Sequence, residues 1–214
     1  MTDRLNRIYE AIPCCEVFAD VGCDHGYVSQ KMISSGKCKK VIFSDISKKC
    51  LDKANNLMQE YVQSGVAFGV VSDGLKNLPK CDVALIAGMG GKEIISIINS
   101  APNLPLVFVL QPMKNVQEVR RFLTQNGYKI DSDEMFISQG KFYDLIVASV
   151  GEETLDDDQI EFGKTNLKLK QNDFILYVNL QIKKQQTYLK NEGISDDAKS
   201  LIEDKIERLK RCLP

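Results

Sequence analysis

The chain has 214 residues, with 28 Lys and Arg against 29 Asp and Glu and a formal net charge of −1. That balance gives no global pull on nucleic acid, so any such binding must use a local basic surface. No apolar run approaches the roughly 20 residues needed to cross a bilayer, and Met1-Thr2-Asp3-Arg4 lacks a secretory signal pattern. Seven cysteines without a Cys-x-x-Cys, and a single histidine, argue against both a disulfide framework and a zinc site. The expectation is a cytoplasmic protein that uses neither a membrane nor a metal.

Residues 2–12 predict a short amphipathic helix with Leu5, Ile8, Tyr9 and Ile12 on one face. Thr2 can cap it, Pro13 stops it, and it is expected over the edge or mouth of a sheet. Val17-Phe18-Ala19 reads as a first strand that runs into Asp20-Val21-Gly22-Cys23-Asp24-His25-Gly26-Tyr27 and then a helix to Ser35. A strand, a glycine turn and a helix form the unit with which open α/β sheets bind nucleotide-like ligands. A phosphate cradle relies on bare N–H groups and a helix N-terminus, and Asp20 and Asp24 would repel a pyrophosphate. A cationic ligand such as S-adenosylmethionine suits the two carboxylates; an ordinary acidic turn accounts for them equally well.

Val41-Ile42-Phe43 predicts a second strand that ends at Ser44-Asp45. Asp45 stands 23 residues after Gly22, a spacing that suits an acceptor for ribose hydroxyls, although Asp45 or Ser47 can instead cap the next helix. That helix is expected from Lys48 to Ser64. Ala67 to Val71 forms a third strand before Ser72-Asp73-Gly74, where Asp73 suits either an adenine amino group or a plain Asp-Gly turn. Val83 to Ala87 is apolar throughout, as a central parallel strand should be, and leads into Gly88-Met89-Gly90-Gly91. Three glycines in four residues suggest backbone lying directly under a ligand. A helix over Lys92–Asn99, a strand over Leu106–Leu110, a helix over Val116–Gln125 and a hairpin of Tyr128–Phe136 with Phe142–Val150 complete a doubly wound α/β sheet with an antiparallel pair at one edge.

After Gly151 the chain turns acidic and then helical. Ile175, Val178, Ile182, Gln185 and Leu189 make one stripe, Glu192-Gly193 breaks it, and Ala198, Ile202, Ile206, Leu209 and Leu213 make a second. Two stripes joined by a short turn predict a helical hairpin, with spacing compatible with a short coiled coil. Between residues 163 and 190 six lysines face one aspartate. They make either a solvated face or a clamp for a polyanion.

The motifs Asp20-Val21-Gly22-Cys23-Asp24-His25-Gly26-Tyr27, Ser72-Asp73-Gly74-Leu75, Ala87-Gly88-Met89-Gly90-Gly91 and Leu110-Gln111-Pro112-Met113 together resemble those of the TrmK family, the bacterial tRNA adenine-N1 methyltransferases. The resemblance covers nearly the whole chain. It implies a class I S-adenosylmethionine-dependent methyltransferase domain, Rossmann-like, over residues 1–151, and a tRNA-binding α-helical coiled-coil hairpin over 152–214. It implies methyl transfer from S-adenosylmethionine to N1 of an adenine in the tRNA D-arm by a monomer. The implied cofactor set is Asp20, Gly22, Cys23, Asp45, Ile46, Ser72, Asp73, Gly74, Ala87, Gly88, Met89 and Gly90. Asp24, His25 and Tyr27 are the implied catalytic residues, with Gln111, Pro112, Lys164, Lys168, Lys183 and Lys184 on the substrate. The family pattern differs at several places: it has Ser at Cys23, Ala at Gly26, Leu-Pro at Val28-Ser29, commonly Glu at Asp45 and Asn at Met113. Gly26 is expected to loosen the turn, and Met113 removes a polar group from the substrate mouth. The run Asn/Asp-Pro-Pro-Tyr/Phe of amino-directed methyltransferases is absent after the fourth strand, which disfavours N6 chemistry. A non-catalytic tRNA-binding module of the same fold and a small-molecule methyltransferase are the competing readings.

Overall fold

The computed structural model describes residues 1–190 and 194–214. Helix α1 (Asp3–Ala11) precedes β1 (Cys15–Val21), α2 (Tyr27–Ser34) and β2 (Cys38–Asp45). Next come α3 (Lys48–Leu57), α4 (Gln59–Gln63), β3 (Ala67–Val71), β4 (Val83–Met89), α5 (Gly91–Asn99), β5 (Val107–Pro112) and α6 (Val116–Gln125). The hairpin of β6 (Tyr128–Ser138) and β7 (Lys141–Val150) leads to α7 (Asp157–Phe162), α8 (Lys164–Leu169), α9 (Asn172–Tyr188) and α10 (Asp196–Arg211). The sheet order is β3-β2-β1-β4-β5-β7-β6. The first five strands are parallel, β7 runs antiparallel to β5, and β6 antiparallel to β7.

Alternation along the strands places the core on both faces. Phe18, Val41, Phe43, Leu85 and Val109 point one way, onto Ile8 and Ile12, Val28 and Met32 of α2, and Leu51 and Ala54 of α3. Ala19, Ile42, Ala84, Ile86, Phe108 and Leu110 point the other way, onto Ile94, Ile97 and Ile98 of α5 and Val119 and Leu123 of α6. This is the two-sided burial that a parallel sheet requires. The edge hairpin turns through Gln139 (φ 49°) and Gly140 (φ 73°), two left-handed residues in a row. Such a turn matches the right-handed twist of the flanking strands.

The structure departs from expectation in three places. The helix expected over Lys48–Ser64 is divided at Met58, a fully buried residue with φ −108° and ψ 17°, into α3 and α4. The fourth strand runs on to Met89, with a register shift between Ala87 and Met89 where Gly88 takes φ 80°. The tail begins with two short helices before the long pair. The expected stripes meet in part: Val178 and Ile182 of α9 pack with Ile206 and Leu209 of α10, but Phe174 rather than Ile175 takes the buried place, and the core takes in Cys212 and Met135 of β6. The expected break at Glu192-Gly193 lies outside the described residues.

A buried polar weld joins the tail to the sheet. Arg120 of α6, 1% exposed, donates from Nε to Asp133 (3.0 Å) and from Nη2 to Asp144 (3.1 Å). Its Nη1 donates to the carbonyls of Ile160 and Glu161, which end α7. The Asp133 carboxylate also accepts from the N–H groups of Lys164 and Thr165, which begin α8. One ion pair thus caps the end of one helix and the start of the next.

Candidate active site

The parallel strands end along one edge, and the strand order reverses between β1 and β4, where ligands lodge in open α/β sheets. A cavity of about 300 Å³ lies there. Asp20, Gly22, Cys23, Asp24, His25 and Tyr27 line one side, and Val28, Leu85, Ala87 and residues of α1 are among the rest of the lining.

The turn between β1 and α2 is held by β2. The N–H groups of Gly22 and Cys23 both donate to the Ser44 carbonyl at 2.9 Å, and Asp24 N–H donates to Asp45 Oδ2 at 3.3 Å. Asp45 Oδ1 accepts from Ser47 N–H at 2.8 Å, while Ser47 itself caps α3. Asp45 therefore braces two turns, and each of its oxygens keeps a second lone pair for a ligand. At Gly22 (φ 73°) an added Cβ would lie 2.3 Å from Met89 Cε, so the β1 and β4 tips touch directly.

Asp20 is 5% exposed and accepts from Ser29 Oγ at 2.7 Å. It has no cationic partner among the described residues. Burial pushes its pKa up to about 6; Ser29 opposes that shift and the charge of Asp45 adds to it. Asp24, by contrast, is exposed and sits in the left-handed region at φ 49°. Its Oδ2 lies 2.7 Å from His25 Nδ1, the His25 and Tyr27 rings are parallel within 3° at 5.6 Å, and Lys53 Nζ of α3 approaches His25 Nε2 at 3.4 Å.

The other expected cofactor residues gather at neighbouring tips. Ile46 projects into solvent, 71% exposed. Ser72 shapes its own loop, donating to the Gly74 carbonyl and accepting from Asn77 N–H, and Asp73 pairs with Lys76. Ala87, Gly88, Met89 and Gly90 form the end of β4 and the start of α5. The glycine run has a packing cause besides any ligand. A Cβ on Gly91 would meet the carbonyls of Asn115 and Lys114 at 2.6 and 2.7 Å.

Three expected substrate residues are placed otherwise. Gln111 is fully buried, accepts from Arg4 Nε at 2.9 Å and turns its amide onto the Pro112 carbonyl and Met113 sulfur. Pro112 is buried beside it. Lys164 is drawn into an ion pair with Glu153. Lys168, Lys183 and Lys184 are exposed, away from the cavity's lining. The site also holds residues that the motifs did not name. Arg4 lines the cavity with its guanidinium over the Tyr143 ring at 5.4 Å, and Ser29 and Lys53 engage the two aspartates' neighbourhood. The only trace of Arg4 in the sequence was a helix expected at the mouth.

A phosphate-binding turn must leave its N–H groups free. Here those of Gly22, Cys23 and Asp24 are all spent on β2, and carboxylates face the cavity instead. That arrangement defines a Rossmann-like α/β domain adapted to a positively charged ligand, the class of the methyltransferases. The chain belongs to the methyltransferase domain family, whose model matches residues 1–146. A Mycoplasma pneumoniae protein, provisionally named a tRNA methyltransferase, is 34% identical over 62% of this chain and 62% of its own length. The match thus spans under two thirds of that relative. The tRNA (adenine(22)-N(1))-methyltransferase of Bacillus subtilis is 26% identical over 76% of this chain and 71% of its own. Among solved structures, M. capricolum TrmK with S-adenosyl-homocysteine superposes with a TM-score of 0.86 at 22% identity, over 99% of this chain and 96% of that one. The B. subtilis TrmK structure gives 0.85 at 22% identity, over 100% and 99%. Among the described residues no helix is long and apolar enough to cross a membrane, and no His/Cys/Asp/Glu group is set to hold a metal.

Proposed function

We propose that this chain transfers a methyl group from S-adenosylmethionine to N1 of adenine 22 in the tRNA D-arm, the reaction for which the B. subtilis relative is named. The observation that carries the reading is Asp20: a buried carboxylate without a cation, on the wall of a cavity at the switch point. A ligand bearing ammonium and sulfonium charge supplies the missing partner. Asp20 offers its carboxylate to that charge, Asp45 its spare lone pairs to ribose hydroxyls, and Asp73 an acceptor to the adenine amine. Gly22, Cys23, Ile46, Ser72, Gly74 and the Ala87–Gly90 tip shape the walls of the cofactor site.

S-adenosylmethionine, when bound, supplies an electrophilic methyl group. Adenine N1 needs no proton removed before attack, but the product is a cation. Asp24, exposed at the same mouth, accepts from the exocyclic amine of the target base and stabilises the charge that develops on it. The parallel His25–Tyr27 pair offers a flat face against which the base is oriented, and alignment supplies much of the remaining rate. A paired base must first leave its stack. Residues 152–214 grip the RNA for that step through Lys168, Lys183 and Lys184, while residues 1–151 carry the chemistry. The chain works as a monomer in the cytoplasm, where its substrate is.

Reverse-transcription arrest on tRNA incubated with protein and S-adenosylmethionine tests the reading, because a methyl on N1 blocks pairing. Arrest at adenine 22 is expected. Arrest elsewhere, or no transfer to tRNA, overturns it.

A further inference from the structure

We infer that Lys53 is a positioning residue that sets the tautomer of His25 and, through it, the direction of the Asp24 carboxylate. The inference rests on the methyl-transfer reading of this site and adds to it a residue on a different element. His25 is held at both ring nitrogens: Nδ1 lies 2.7 Å from Asp24 Oδ2, and Nε2 lies 3.4 Å from Lys53 Nζ. An ammonium has three donors and no acceptor, so Nε2 must present its lone pair to Lys53. The single ring proton of the neutral imidazole then resides on Nδ1 and is donated to Asp24. A histidine free in water favours the opposite tautomer, with the proton on Nε2. That form would set a proton against the Lys53 ammonium and a lone pair against the Asp24 carboxylate. A doubly protonated ring would set two cations together at Nε2.

The groups around the ring are Asp24 on the turn, Tyr27 on α2 and Lys53 on α3, with Asp45 reached through the Asp24 N–H. Helix α3 is fixed against this turn: Ala54, next to Lys53, is fully buried, and a Cβ on Gly26 would lie 2.9 Å from its Cβ. The consequence falls on Asp24. An exposed carboxylate samples several rotamers; tied at Oδ2 by a Nδ1–H donor, it keeps Oδ1 available for the amine of the base. Asp24, His25 and Lys53 thus form a relay of orientation in which only Asp24 and the His25–Tyr27 rings touch the substrate.

His25 is the only histidine in the chain, so its two ¹⁵N resonances can be read without assignment. In ¹⁵N-labelled full-length protein at neutral pH, Nδ1 is expected to be protonated and Nε2 unprotonated. Lys53→Met should let Nε2 take up a proton while Asp24 keeps the one on Nδ1, and Lys53→Arg, which restores a donor, should return Nε2 to its unprotonated form. A wild-type proton on Nε2, or a Lys53→Met spectrum equal to wild type, overturns the inference. In single-turnover assays Lys53→Met should slow methyl transfer roughly tenfold with the S-adenosylmethionine Kd unchanged, and Lys53→Arg should recover most of the rate. A defect confined to the KM for tRNA makes Lys53 a phosphate contact and overturns it as well. The NMR readout needs no substrate, so wild-type protein inert on tRNA would sink the functional reading while the tautomer is still decided by the spectrum.

Discussion

Asp20 and Asp24 stand at either end of the same turn and have opposite surroundings. Burial raises the Asp20 pKa to about 6, above the value of roughly 3.9 for a free side chain. In the ligand-free protein the folded state therefore holds the Asp20 proton more tightly than the unfolded chain. This stabilises the fold fully below pH 4, and the advantage is lost as pH rises through 6. A cationic ligand favours the ionised form. Calorimetric affinity for S-adenosylmethionine should thus rise by up to about tenfold per pH unit below pH 6 and level off above it, with proton release on binding near pH 5.5. Asp20→Asn should flatten that profile and weaken binding, yet raise the ligand-free Tm at pH 7.5, because a neutral amide removes a buried, unpaired charge. A flat wild-type profile between pH 5 and 7 would take Asp20 out of the cofactor site. On the proposed reading, Asp24 would act after binding. Asp24→Asn should leave the S-adenosylmethionine Kd within about threefold of wild type and lower single-turnover methyl transfer about 10²-fold or more, the usual cost of one lost electrostatic partner of a transition state.

At the scale of elements, the weld around Arg120 decides whether the tail and the sheet behave as one body. Arg120→Met leaves the buried Asp133 and the partly buried Asp144 without a cation and the α7 carbonyls without a donor. Burial already raises the Asp144 pKa, against the pull of Arg120. The expected loss is about 3–5 kcal/mol of unfolding free energy at pH 7 in urea melts, the cost of breaking a buried pair on one side. Gly26 is the second such point. It was expected to loosen the turn; instead it holds φ 73° with α3 directly behind it. Gly26→Ala should cost about 1–3 kcal/mol and disturb the α2–α3 contact, read as a lower Tm. Both cases show what the sequence could reveal. The parallel strands, the acidic tips and the antiparallel pair at one edge were legible, because apolar runs and Asp-Gly punctuation are local. Arg120 was not legible. An arginine in an amphipathic helix, here followed by Arg121, reads as solvated, and its partners come from β6, β7 and α7. Arg4 and Lys53 were hidden for the same reason: Arg4 reaches the cavity from α1 and Lys53 reaches His25 from α3, and no local motif marks either. The break at Met58 left no Gly or Pro in the sequence to mark it.

At the scale of the molecule, the proposed function asks how an edge lined with carboxylates would work on a polyanion while the chain carries a net charge of −1. The acidic tips at β1, β2 and β3 carry lysines of their own, Lys53 at His25 and Lys76 at Asp73, while Lys168 of α8 and Lys183 and Lys184 of α9 stand away from the cavity's lining. Two of the six lysines between residues 163 and 190 are already engaged: Lys164 with Glu153, and Lys170 with the Leu213 carbonyl. Lys168, Lys183 and Lys184 remain exposed, with no acidic partner among the described residues. Their helices are fixed to the sheet by Asp133 at the start of α8 and by Asp173 of α9, which accepts from Ile137 N–H at 2.9 Å. On the proposed reading, a grip mounted this way would hold the RNA at a constant distance from Asp24. Replacing Lys168, Lys183 and Lys184 together by Glu changes only exposed side chains, so folding and the S-adenosylmethionine Kd should stay near wild type. The KM for tRNA should rise at least about tenfold. The slope of log affinity against log salt should fall by about 2 to 3, since each phosphate contact releases close to one counterion. If the slope is unchanged while KM rises, the lysines do not touch phosphate, and the RNA must approach the cavity over α1, where Arg4 and Arg7 supply the positive charge.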